Sequence, residues 1–182
     1  MPTQNDSTLL ITRPFQYSIY TLTPHTLKED YKLILPIANA IPASFFEKKF
    51  TRKGEMDDYK TLNSSQAYSI NNVYSFAHHL FFTINRFRGN NRYVMDKSKF
   101  LIYDYNKMSA DSASYFINVS NTIKSFDANN LYTAISPKSL LNNFKAKEFI
   151  ATSQNEVLKN FIARNKDTDN PIIIQLKTKT SL

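Results

Sequence analysis

The sequence predicts an α+β fold: a single domain whose helical N-terminal part is followed by a mixed or antiparallel sheet with short helices. Three observations predict it. Between Tyr68 and Phe87 the apolar residues Ile70, Val73, Tyr74, Ala77, Leu80, Phe81 and Ile84 recur at three and four, the period of an amphipathic helix. After about residue 90, short runs of Ile, Val, Phe and Tyr alternate with turn residues, as strands do. The chain has 182 residues, which suits one domain at roughly 100–200 residues each. Residues 1–8 read as a flexible leader and 9–182 as the domain. With 42% hydrophobic residues, including Phe 14 and Tyr 11, the chain has the material for a real core.

Each element rests on a local signal. Leu9 to Leu22 reads as strand, broken into two short pieces near Pro14. Leu27 to Ile37 reads as a helix capped by Thr26 and ended by Pro36. Ser44 to Phe50 reads as a short helix, and the charges from Lys48 to Asp58 as a solvated loop. The helix over Tyr68–Phe87 ends in Arg86, Arg88 and Gly89, residues suited to a C-terminus. Arg92–Met95 and Phe100–Tyr105 form a hairpin around Asp96-Lys97-Ser98-Lys99. Asp111 caps a helix over 112–126. Asn130–Ile135 is a strand, and Pro137 opens a short helix at the position proline favours. Phe149–Thr152 is a strand, Ser153–Arg164 a helix and Pro171–Lys177 a strand.

Composition excludes several chemistries. Two glycines, Gly54 and Gly89, cannot build a glycine-rich phosphate loop. Without cysteine there is no disulfide, thiolate zinc site or cysteine nucleophile. Of three histidines, His78 and His79 are adjacent and would point about 100° apart on a helix, so they do not make a metal site. No stretch approaches the ~20 apolar residues of a membrane helix. Met1 to Ser7 is polar and unlike a Sec signal, so the protein is expected to be made in the cytoplasm, compatibly with secretion into a host cell by a non-Sec route. The net charge of +8 fits an anionic partner. Arg86, Arg88, Arg92, Lys97 and Lys99, interleaved with aromatics, form the patch that would meet it, as in single-strand nucleic-acid binding. The competing account is a hairpin whose aromatics face the core and whose cations protect an edge.

The most specific string is Phe149-Ile150-Ala151-Thr152-Ser153, followed by a helix anchored by Val157 and Phe161 and then by Ile172–Leu176. It resembles the strand–helix–strand of the ADP-ribosyltransferase family, whose strand ends in Ser-Thr-Ser. Leu131-Tyr132-Thr133-Ala134 stands where that family has its Tyr-Arg-Gly strand, and the resemblance covers residues 110–177. It implies NAD as cofactor, with Tyr132, Thr133, Thr152 and Ser153 at the cofactor pocket, and a bacterial or phage effector or toxin acting in virulence. Two positions depart. The phosphate-clamping Arg is Thr133, and Gln175–Lys179 offers no counterpart to the catalytic carboxylate. A carboxylate is what stabilises the developing ribosyl cation, so the resemblance implies a degenerate member and leaves the catalytic residues unassigned. Ser153-Gln154-Asn155-Glu156 is also a capping box, which accounts for the same residues by local structure alone. Two alternatives stand beside this reading: a module that binds a protein partner or target, as effector, inhibitor or adaptor, and a basic nucleic-acid-binding or RNA-cleaving toxin.

Overall fold

Residues 68–87 form a β-hairpin, not a helix. In the computed structural model, which describes residues 7–108, 125–127, 130–146, 156, 160, 163–164 and 170–176, the expected helical N-terminal part is replaced by antiparallel sheets. The chain divides into two compact units, Met1–Lys107 and Met108–Leu182.

The first unit contains two sheets. Strands β1 (Leu9–Thr12), β2 (Ser18–Leu22) and β3 (Leu27–Lys32) form one, in that order. Strands β4 (Ala67–Phe76), β5 (His79–Arg86), β6 (Asn90–Asp96) and β7 (Leu101–Asp104) form the other, an antiparallel meander. The two short strands expected within Leu9–Leu22 are β1 and β2. The expected helix over Leu27–Ile37 is instead strand β3, then an extended stretch and a 3₁₀ turn at Ile37–Asn39. Pro24 sits in the tight turn from Thr23 to Thr26, where the Thr23 amide donates to the Thr26 carbonyl at 2.8 Å. That turn returns the chain onto β2, so Thr26 closes a hairpin and caps no helix.

The reason for the larger error lies in β4. Its buried residues are Ala67, Ile70, Val73 and Phe76, one in every three. A regular strand buries every second residue. The pairing of β4 with β5 shifts register between Ala67 and Ser69 and again between Asn71 and Tyr74. Each irregularity advances the chain by an extra residue, and the result imitates helical spacing. Asn72 takes φ 49°, a left-handed conformation that Asn tolerates. The segment 68–87 itself is rich in Phe, Tyr and Ile, which are strand formers.

Two short helices flank the meander: α1 (Ser44–Glu47), within the expected Ser44–Phe50, and α2 (Glu55–Leu62). The expected mixed-charge loop therefore includes the start of a helix. Gly54 precedes it at φ 86°, and the Glu55 carboxylate accepts the Thr51 and Arg52 amides at 3.1 and 3.3 Å. The core joins the two sheets: Leu10 and Ile19 pack with Ala67, Ile70, Val73, Leu80, Phe82, Ile84 and Met95. Polar ties cross the same seam. The Thr12 hydroxyl donates to the Ile70 carbonyl at 2.7 Å, and the Phe15 amide to the Tyr68 carbonyl at 2.6 Å. Phe45 is buried at the centre of an aromatic cluster with Phe15, Phe46, Phe50, Tyr59 and Phe87.

The second unit contains an antiparallel sheet in the order β10 (Ile172–Leu176), β9 (Leu131–Ile135), β8 (Ser125–Phe126), with helix α3 (Pro137–Ala146) after β9. Strands β9 and β10 and the proline-led helix match the sequence reading. Ser136 accepts the Ser139 amide at 3.2 Å ahead of α3. Ser125 and Phe126 are strand where the helix over 112–126 was expected to end; the rest of that helix and the strand Phe149–Thr152 lie outside the described residues. Glu156, Asn160, Ala163 and Arg164 are helical, as the reading of Ser153–Arg164 requires.

Candidate functional site

A cavity of about 630 Å³ lies in the first unit. One wall is the chain from Asp30 through Pro36; the other is the face of the meander carrying Leu80, Phe82, Tyr93, Met95 and Ile102. Strand register explains why these side chains share a face. Leu80 is opposite Met95, and Met95 is opposite Ile102, so the three form one row across β5, β6 and β7. Exposure climbs along that row, from 1% at Leu80 to 7% at Met95 and 49% at Ile102. The floor belongs to the core, and the row opens at its β7 end. Ile34 and Phe100 stand on the rim at 92% and 71% exposure. Large apolar side chains held this far into water around a hollow mark an interaction surface.

Two cations, Lys32 and Arg86, and one acid, Asp30, stand among the polar lining residues. Asp30 faces Lys28 at 3.0 Å and accepts the Thr21 hydroxyl, contacts that hold its carboxyl below the usual range although burial opposes them. Lys32 lies exposed beside it. Arg86 donates to the Ser65 carbonyl at 2.6 Å and to Asn91 at 3.3 Å, which fixes its guanidinium at the far end of the hollow. Burial raises the Tyr31 phenol, which stays neutral in this wall.

The cations read from sequence do not converge. Arg86 and Arg88 lie at the β5–β6 turn, and Lys97 and Lys99 at the β6–β7 turn, the two ends of β6, with Arg92 between. Lys97 donates to Ser75 at 2.9 Å, and Lys99 lies 3.8 Å from Asp96. Asp96 is buried and accepts the Ser98 hydroxyl at 2.6 Å and amides of Ser98 and Lys99 at 2.8 and 3.2 Å, which lower its carboxyl. These residues organise a turn. His78 is exposed in the β4–β5 turn, and His79 is buried opposite Asp96. Among the described residues no group of three His, Asp or Glu is placed to hold a metal ion. Among them, too, no helix is long and apolar enough to cross a membrane.

In the second unit, Thr133 is buried on β9, opposite Ile174. Tyr132 points from the strand's other face and donates to Asp127 at 2.5 Å, a bond that raises its phenol. Thr152 and Ser153 lie outside the described residues. The hollow of the first unit was missed by sequence reasoning. Its signal was the run Leu33-Ile34-Leu35-Pro36-Ile37, too apolar for a helix end and carrying two isoleucines that the fold leaves in water. No known family model matches the chain, and neither a curated protein nor a solved structure matches it.

Proposed function

We propose that the first unit is a docking module that seats an apolar segment of a partner protein, in keeping with an effector, inhibitor or adaptor. The observation that carries this reading is the hollow of about 630 Å³ with Ile34, Phe100 and Ile102 exposed around it. Covering those side chains removes apolar surface from water at about 25 cal/mol per Å². Aromatic and aliphatic anchors in a pocket, ringed by charge, are how binding energy concentrates at interfaces. A photo-crosslinking side chain placed at Ile34 or Phe100 should yield a discrete protein adduct in cells, and the same group at Glu29 on β3 should not. Equal labelling at all three positions would remove the hollow from the account.

A second reading, a degenerate ADP-ribosyltransferase-like scaffold using NAD, is favoured by one feature of the second unit. Strands β9 and β10, which carry two parts of the resemblance, are hydrogen-bonded neighbours in one sheet. A ligand at 100 times its dissociation constant stabilises by about 2.7 kcal/mol. Millimolar NAD should therefore raise the melting temperature if this reading holds, and an unchanged melting temperature sets it aside.

A further inference from the structure

We infer that the docked segment binds as an extended chain, pairing with the outer edge of β7 as a fifth strand of the β4–β7 meander. The inference rests on the docking reading above and adds the backbone geometry and chemistry of the partner.

Edge strands expose unpaired amide and carbonyl groups, and proteins protect them with charge, proline or cover. Two other edges of the first unit are protected. Strand β3 ends its sheet and carries Lys28, Glu29, Asp30 and Lys32 among six residues. The β4 edge is covered where Thr12 and Phe15 donate to the carbonyls of Ile70 and Tyr68. Strand β7 reads Leu-Ile-Tyr-Asp and has neither lysine nor proline. It ends the meander, and among the described residues no strand lies beyond it. Leu101 and Ile102 are each about half exposed.

Register says what the added strand would carry. The row Leu80–Met95–Ile102 stops at the edge with Ile102 half covered. A residue paired beyond Ile102 would continue that row into the hollow, so it is apolar. Strand alternation places its neighbours on the opposite face. Exposed Lys99 and Lys107 flank β7, and Lys32 stands on the rim, in a chain of net charge +8. Acidic residues therefore flank the apolar core of the segment. Strand addition of this kind takes affinity from main-chain hydrogen bonds and specificity from alternate side chains.

The test uses the full chain and a phage-displayed library of random decapeptides. The enriched sequences should alternate apolar and polar residues with flanking acids. A selected peptide should lose at least tenfold in affinity when its alternate backbone amides on the β7-facing register are N-methylated, and not when the other set is. Ile102→Lys should cost a similar factor with an unchanged melting temperature. Binders that tolerate both N-methylated forms but are lost in Ile34→Asp would leave the docking hollow standing and overturn strand pairing. A consensus spaced at three and four, marking a helical ligand, would do the same. Binders indifferent to Ile34, Phe100 and Ile102, or no enrichment, would overturn both. A stable dimer of the free chain dissolved by Ile102→Lys would assign the edge to a second copy and contradict the inference.

Discussion

Tyr17 illustrates how single residues hold the first unit together. Its hydroxyl donates to the Ala67 carbonyl at 2.8 Å and accepts the Ile41 amide at 2.8 Å, so one oxygen joins three segments. Tyr17→Phe strands both backbone groups, and a buried unsatisfied group costs about 1–3 kcal/mol. Chemical denaturation should show a loss in that range, against little change for Tyr20→Phe, whose hydroxyl donates to exposed Gln16 at 3.3 Å. His79 makes a second residue-scale prediction. It is buried with Nδ1 unpartnered, and burial holds its imidazole below the ordinary value although Asp96 pulls the other way. The unfolded chain therefore binds the proton first, at about pH 6.5. Stability is full above that pH and is lost as the pH falls through the lower folded-state value. Urea unfolding at pH 7.5 and 5.5 should reveal the loss, and His79→Gln should reduce it. Asp96, whose carboxyl is lowered by the Ser98 hydroxyl and neighbouring amides, adds its own loss only at more acid pH. The Tyr17 and His79 partnerships were not legible in the sequence, because each joins residues that only the fold brings together; the contacts of Asp96 with Ser98 are local.

At the scale of elements, β4 shows what pattern reading can and cannot see. Of the residues expected to face inward, Ile70 and Val73 on β4 and Leu80 and Ile84 on β5 are core, while Ala77 is exposed in the turn between them. The period was misread because two irregularities space the inward residues of β4 by three. The turn gave no warning either, since Ala77-His78 lacks the Asn-Gly or Asp-Gly that announces a tight hairpin. Ala77 sits at φ 49°, where a side chain is strained. This yields a prediction of opposite sign for the two structures. In the hairpin, Ala77→Gly should leave stability unchanged or raise it by up to ~1 kcal/mol; within a helix the same change would cost about 1 kcal/mol. The β6–β7 hairpin was legible, because Asp96-Lys97-Ser98-Lys99 combines turn residues between two apolar runs. Strands β9 and β10 were legible for a similar reason. Leu80→Asp remains a severe lesion in the observed hairpin, since Leu80 is 1% exposed on the floor of the hollow, and an unpaired buried charge is strongly destabilising.

For the whole molecule, the sequence indicated size and the presence of a core, while the balance of helix and strand went the other way in the first half. The hollow was illegible because its walls come from β3 and the following stretch, residues 30–36, and from β5 to β7, which begin contributing only at Leu80. Proximity of that kind has no local signature. The basic residues were visible but do not form one patch, since they are distributed between opposite ends of β6. What the fold assembles instead is an apolar hollow, rimmed by Asp30, Lys32 and Arg86 and bordered by the β7 edge.

The most direct measurement is backbone hydrogen–deuterium exchange on the full chain, free and saturated with a selected decapeptide. Protection should rise at least tenfold in residues 31–36 and 100–104, which line the hollow, and stay unchanged across Leu27–Glu29. Protection confined to residues 87–92 or to 131–146, with both walls exchanging as in the free protein, would contradict the account.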